Sequence, residues 1–345
     1  MTPKKRVTIY DIAKKLNLTA SSVSRALNNS IHVKEDTKAL IVKTAAEMNY
    51  KPNTLASNLR KGKSQTIGVV MPRINQNFFA NVIAGLEEAT YKRGYNLVIC
   101  QSNESHQKEI QCVNTLINQH VDCIVISVCV EGDDYSHLQN VIDQHIPLIQ
   151  VDRVVDSLDT LKVINDNEQA SYDAVAHMIQ QGYKRIGLLQ GPQNMAIYRQ
   201  RTAGYINALK DAGLPFIDEL VVASALTREL GAISSRQLLN LPQPPDAIFA
   251  STSDFSALGV LEVATAMGFK VPDDLGICGY ANEDFTEITS PSITTIDQFS
   301  YEMGKTVADL FFREMDNKGK EAVIAPRVIS VRPKLIVRSS TRRVG

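Results

Sequence analysis

Apolar positions recur with two different periods along this chain. Up to Met48 they repeat every three or four residues. Ile9, Ile12, Ala13 and Leu16 mark one short helix, Val23, Ala26 and Leu27 a second over residues 20–28, and Ala39, Leu40, Val42, Ala45, Ala46 and Met48 a third over residues 35–48. Thr8 with Asp11 three places on is a partial capping box, Asn17 and Leu18 make a turn, and Thr19 caps the second helix. Lys34 is a poor cap, so the third helix is expected to fray at its start, although Glu35 and Asp36 suit the positive end of the helix dipole. Pro52 ends regular structure, and residues 53–59 allow only about two turns, too few to hold without a partner. Lys61, Gly62, Lys63 and Ser64 read as a flexible basic linker.

Beyond Ser64 the pattern changes. Short apolar runs such as TIGVVMP, NLVICQ, CIVISV and PLIQVD alternate with helix-length amphipathic stretches, and VIND, RIGLLQG, LVVAS, DAIFAS and LGICGY repeat the style. Strands buried on both faces and joined by helices predict parallel sheets, and two successive sets predict two lobes. Ligands sit at the carboxyl ends of such strands, which puts a cleft between the lobes. Phe78 and Phe79 follow the first strand, Asp152 and Arg153 follow PLIQV, Arg201 follows RIGLLQG, and Ser253 and Asp254 follow DAIFAS. Aromatic faces with Arg and Asp forks suit a polyhydroxylated ligand. For the Phe pair, core packing competes on at least even terms.

Charge sharpens this division. The 345 residues carry no net charge, yet residues 1–63 hold 13 Lys and Arg against 4 Asp and Glu, a net of +9, and the remainder carries −9. A basic head on an acidic body is a nucleic-acid signature. The five cysteines lie mostly in apolar runs and include no CxxC pair, so neither zinc nor a redox pair is indicated. There is no apolar leader and no apolar run of 18 residues. A cytoplasmic protein with no membrane partner is expected, in which the N-x-S/T matches at Asn17, Asn28 and Asn103 are chance.

The second helix carries Ala20, Ser21, Ser22 and Arg25 outward. A guanidinium pairs bidentately with guanine, a hydroxyl bonds either kind of base edge, and a methyl touches thymine. Taken alone, an amphipathic helix with a solvated Arg is the better reading. GKS at residues 62–64 is not a phosphate loop, because Ser57 stands where the motif needs Gly. The chain has no G-x-S-x-G, no HExxH and no metal-spaced histidines, and Glu87 and Glu88 fall on a helix surface. No enzyme, metal or cofactor is expected.

VTIYDIAKKLNLTASSVSRALNN, NYKPNTLASNLRKGKSQTIGVVMP and the later GY and PSITTI elements together resemble the LacI family of bacterial transcription regulators over essentially the whole chain. The resemblance implies an N-terminal all-α helix-turn-helix head and an α/β two-lobed periplasmic-binding-protein-like (type I) body with parallel sheets. It implies a DNA-binding domain over 1–52, a hinge helix and linker over 53–64, and an effector-binding and dimerisation domain over 65–345. Lobe one is expected near 65–162 plus 292–322 and lobe two near 163–291 plus 323–340, with three crossings between them. Ala20, Ser21 and Arg25 take the base-reading positions, with Thr8, Tyr10, Thr19, Ser22, Ser24 and Asn28 also facing DNA. Asn53, Ala56 and Leu59 fall in the hinge helix, where Leu59 takes the place of a minor-groove wedge.

The implied effector set is Phe78, Phe79, Asp152, Arg153, Arg201, Ser253, Asp254 and Asn282. Two departures mark it. Ser253 stands where the family commonly has Asn, and Ala281 where it commonly has Asp after Gly279 and Tyr280. Asn282, Glu283 or Asp284 replaces the missing acceptor, or the ligand differs and carries its own negative charge. The expected partners are pseudo-palindromic double-stranded operator DNA, a small effector of the sugar or sugar-derivative class, and a second copy of the chain. With no leucine heptad after RPKLIVRSSTRRVG, a dimer is expected rather than a tetramer. The leading expectation is a repressor of carbohydrate-use genes. The alternatives are a regulator activated by a corepressor, such as a purine or sugar phosphate, or by a partner protein. From a different class, a receptor or sugar-modifying enzyme would need a signal peptide or a catalytic constellation.

Overall fold

The computed structural model describes residues 7–28, 30, 32–50, 63–223, 227–317 and 327–343. The chain divides into two units, Met1–Ser64 and Gln65–Gly345. The first holds α1 (Ile9–Leu16), α2 (Ala20–Leu27) and α3 (Glu35–Glu47). The Thr8 backbone N–H and hydroxyl both donate to the Asp11 carboxylate, at 2.8 and 2.7 Å, and the Thr19 hydroxyl accepts from the Ser22 N–H at 3.2 Å. Asn17 takes the left-handed conformation (φ 55°) that closes α1, which Asn tolerates better than most residues. Lys34 makes no side-chain cap. Ile12, Ala13, Val23, Ala26, Ile41 and Ala45 form a small core between the three helices.

The second unit contains two parallel sheets. The six-stranded sheet runs in the order β11-β5-β4-β3-β1-β2, from β1 (Thr66–Met71), β2 (Asn96–Gln101), β3 (Cys123–Ile126), β4 (Leu148–Val151), β5 (Leu161–Asn165) and β11 (Val328–Val331). One face is covered by α4 (Asn77–Tyr91) and α12 (Ser300–Asn317), the other by α5 (His106–Asn118) and α6 (Ser136–Asp143). Helices α4 and α12 cross closely because Gly85 and Gly304 face each other's backbones; a Cβ on Gly85 would meet the Tyr301 carbonyl oxygen, and one on Gly304 that of Val82.

The four-stranded sheet runs β7-β6-β8-β9, from β6 (Ile186–Gln190), β7 (Val221–Ala223), β8 (Ala247–Ala250) and β9 (Gly276–Cys278). Helices α7 (Asn167–Gln180) and α8 (Ala196–Asp211) pack on one face, α9 (Arg228–Leu239) and α10 (Asp254–Ala266) on the other. A short α11 (Phe285–Ile288) precedes β10 (Thr295–Asp297), which pairs antiparallel with β12 (Lys334–Ile336).

Strand pairing moves the expected lobe boundaries. Strand β5, expected to open lobe two, pairs with β4 in register Ile149↔Leu161, and β11 pairs with β5 in register Val328↔Lys162, so both belong to lobe one. Strand β10, expected in lobe one, pairs with β12, and Thr294 bridges Cys278 of β9. The chain therefore crosses between lobes after Asn165, around Gln298 and between Val331 and Lys334. No helix among the described residues is long and apolar enough to cross a membrane.

Candidate functional site

In the head, α2 buries Val23 and Ala26 and turns its other face outward. Thr8, Tyr10, Thr19, Ser21, Arg25 and Asn28 are exposed and Ala20, Ser22 and Ser24 half-buried. Ser21, Arg25 and Asn28 recur at helical spacing on that face. The Thr19 hydroxyl also lies 2.8 Å from those of Ser21 and Ser22, and Asn28 Nδ2 donates to the Ser24 carbonyl at 2.8 Å, so the polar row is ordered by its own bonds. Asn53, Ala56 and Leu59 lie outside the described residues.

In the body a cavity of about 50 Å³ opens between the carboxyl ends of the two sheets. Six of the eight sequence-predicted residues line it: Phe78 and Phe79 from α4, Asp152 and Arg153 after β4, Arg201 on α8, and Ser253. Phe78 and Phe79 stand edge to face with centroids 5.2 Å apart, and both also belong to the lobe-one core. The pair is thus part of the cavity wall and of the core at once. Asp152 is left-handed (φ 62°) and buried, and its Oδ1 has no hydrogen-bond partner among the described residues. Burial raises its pKa, opposed by the charges of Arg153 and Arg201. Arg153 gives Nη1 to both Glu104 oxygens, at 3.0 and 2.8 Å.

Arg201 is 4 % exposed and, among the described residues, hydrogen-bonds only neutral groups. Its Nε donates to Asn167 Oδ1 (2.9 Å), Nη1 to the Ser251 carbonyl (2.8 Å) and Nη2 to Gln298 Oε1 (3.4 Å), while the guanidinium lies 3.6 Å from the Tyr280 ring centroid. Tyr280 Oη donates to the same Asn167 oxygen at 2.9 Å. The phenol is pushed up to about 12 by burial.

Two predicted residues are not in the lining. Asp254 is fully buried behind it, accepting from the Thr295 hydroxyl (2.6 Å) and the Glu283 N–H (2.8 Å), and burial lifts its carboxyl to about 6. Asn282 points away: its Oδ1 accepts from Arg338 Nη2 at 2.9 Å and its Nδ2 donates to Asp297 at 3.2 Å. Ala281 and Asn282 both have positive φ, 137° and 56°, and this kink turns Glu283 instead toward the cavity. Burial, then the neighbouring Asp254, raises Glu283 to about 7.

Residues 8–53 match the model of "bacterial regulatory proteins, lacI family", and residues 64–333 match "periplasmic binding proteins and sugar binding domain of LacI family". The chain belongs to the LacI family. It is a DNA-binding transcriptional regulator whose body has the type I periplasmic-binding-protein fold. The HTH-type transcriptional repressor CytR of Escherichia coli K12 is 33% identical over 337 residues, 97% of this chain and 96% of that protein. A complex of the transcriptional regulator CelR with cellobiose is similar in structure, with a TM-score of 0.72 at 27% identity, covering 97% of this chain and 100% of the other. The lac repressor dimer bound to operator and the anti-inducer ONPF shares the fold with a TM-score of 0.85, covering 98% and 99% at 24% identity.

Within this LacI-family body, Gln76, Ile197, Tyr198, Phe255, Tyr280 and Gln298 also line the cavity and were not singled out from sequence. Asn167, the hub of the Arg201 contacts, was missed too. It follows β5, so the rule that selected Asp152 after β4 would have selected it had the VIND run been carried one residue further.

Proposed function

We propose that this regulator is a cytoplasmic, homodimeric repressor rather than an enzyme, and that its cleft takes a neutral, ring-bearing polyhydroxylated effector, a sugar or sugar derivative. The domains divide near residues 52 and 64. Arg25, Ser21 and Ala20 read base edges, Thr8, Tyr10, Thr19 and Asn28 bond phosphates, and Leu59 wedges the minor groove between two half-sites.

The charge balance of the cleft carries the effector reading. Arg153 pairs with Glu104 and lies 4.0 Å from the Asp152 carboxylate, the charge of Arg201 also acts on Asp152, and Glu283, lifted to about 7, is about half protonated near neutrality. A site so balanced favours an uncharged ligand. The unpaired Asp152 Oδ1 offers an acceptor to a hydroxyl, and the Phe and Tyr rings offer faces to a sugar ring. CelR, seen with cellobiose, supports the same class. Ligand pockets are typically about 300–1,000 Å³. Filling a space of about 50 Å³ must therefore part the lobes, and this is the work that changes operator affinity.

Among the described residues Arg201 has only neutral hydrogen-bond partners, which favours a second reading, an anionic corepressor such as a sugar phosphate. Thermal-shift titration of the full chain with neutral mono- and disaccharides, sugar acids, sugar phosphates and purines separates them. A neutral sugar should stabilise the body by about 2.7 kcal/mol at about a hundredfold excess over Kd. Stabilisation by anionic compounds alone would overturn the proposal.

A further inference from the structure

We propose that Asn165 is the residue through which the cleft is coupled to the hinge between the lobes. This rests on reading the cleft as the effector site.

Four buried residues close a ring of hydrogen bonds through their side chains and the main-chain carbonyls of Asn165 and Gln298. Arg201 Nε donates to Asn167 Oδ1 at 2.9 Å, and Asn167 Nδ2 donates to the Asn165 carbonyl at 3.2 Å. Asn165 Nδ2 donates to the Gln298 carbonyl at 3.1 Å, and Gln298 Oε1 returns to Arg201 Nη2 at 3.4 Å. The same Asn165 amide also donates to the Val331 carbonyl at 3.1 Å. Asn165 ends β5 and so stands at the first crossing, Gln298 lies in the second, and Val331 opens the third. One amide group therefore pins all three inter-lobe crossings to one another, and the ring ties that pin to the cation in the cleft.

Burial makes the ring costly to open. Asn165 and Asn167 are 1 % exposed, Arg201 4 % and Gln298 5 %, so a bond broken here cannot be exchanged for one to bulk water without opening the hinge. Asn165 Oδ1 has no hydrogen-bond partner among the described residues, so the amide serves this place through its donors. An aspartate would turn a carboxylate toward two carbonyl oxygens. A ligand that pulls on Arg201 strains the ring at Gln298 and Asn167, and the strain reaches the crossings through Asn165.

Amide hydrogen exchange of the full chain, with no effector present, tests this apart from the effector reading. In Asn165→Ala, amides at residues 328–336 should exchange about tenfold faster, as loss of a buried hydrogen bond implies. The same amides should speed up in Arg201→Ala and Gln298→Ala, which leave Asn165 and its carbonyl acceptors in place; helix α1 of the head should stay unchanged in all three. Gln298→Ala removes only a neutral side chain and keeps the test alive where a harsher variant fails to fold. Unchanged exchange at residues 328–336 in Asn165→Ala would overturn the proposal. So would acceleration in Asn165→Ala that neither cleft variant reproduces, since Asn165 would then be a staple with no link to the cleft.

Discussion

The outward face of α2 and the wall of the cleft hold similar residue types under opposite physical conditions. Arg25 is exposed, and no described residue of the head depends on its guanidinium for a hydrogen bond, whereas Arg201 is 4 % exposed and satisfies three acceptors from three separate stretches of chain. A reading surface has to leave its donors free for DNA. A sensing site has to keep its donors paired until a ligand competes for them. Substitution should therefore cost the head recognition without stability, and cost the body both.

Arg201→Ala should produce the largest effect, since it empties a packed site and strands buried acceptors. A loss of about 3 kcal/mol is expected, lowering the melting temperature of the body by roughly 6–12 °C. A calorimetric scan that leaves this transition in place would remove the contrast. Arg25→Ala should leave the melting temperature unaltered, within about 0.5 kcal/mol. It should weaken binding to a selected operator by about 1–3 kcal/mol while salt-dependent binding to scrambled DNA persists, as read by fluorescence anisotropy. Equal losses on both DNAs would mean that Arg25 holds phosphate rather than a base.

Thr19→Ala sharpens the comparison within the head, because its hydroxyl caps α2 and also orders Ser21 and Ser22. It should cost about 1 kcal/mol, seen as earlier melting of the head alone.

A pH dependence is expected of the body alone. Glu283 is raised from 4.5 to about 7 by burial and by Asp254, which is itself raised to about 6, so folding favours the protonated forms. Their contribution is full below the unfolded values and is lost as pH rises through about 6 to 7. Glu283→Gln removes one titration, and between pH 5 and 8 its melting temperature should fall by about 5–10 °C less than that of the wild type. Parallel curves would place the Glu283 carboxyl at an ordinary value.

Much of this architecture is legible in local pattern. Thr8, Asp11 and Thr19 announce helix starts through bonds three residues long, and the strands that precede Asp152, Arg201 and Asp254 announce one end of a sheet. What is not legible depends on distant partners. Val328–Val331 joins lobe one by pairing with a strand more than 160 residues earlier, which no local apolar period encodes. Asn282 leaves the cleft because Arg338 and Asp297 recruit its amide and because the chain kinks at Ala281, and Glu283 brings to the lining a carboxyl that Ala281 lacks. Tyr198 enters the cleft through helix orientation alone, without a motif, and Tyr280 belongs to the GY element, which marks the family rather than a cleft position.

The central claim is that two sites so different in exposure form one switch. Its most direct test is linkage, measured as operator affinity of the full chain with and without a saturating neutral sugar that stabilises the body, and as affinity for that sugar with and without operator. Both constants are expected to change by the same factor, about tenfold or more. A sugar that binds the body yet leaves operator affinity unchanged would contradict the claim.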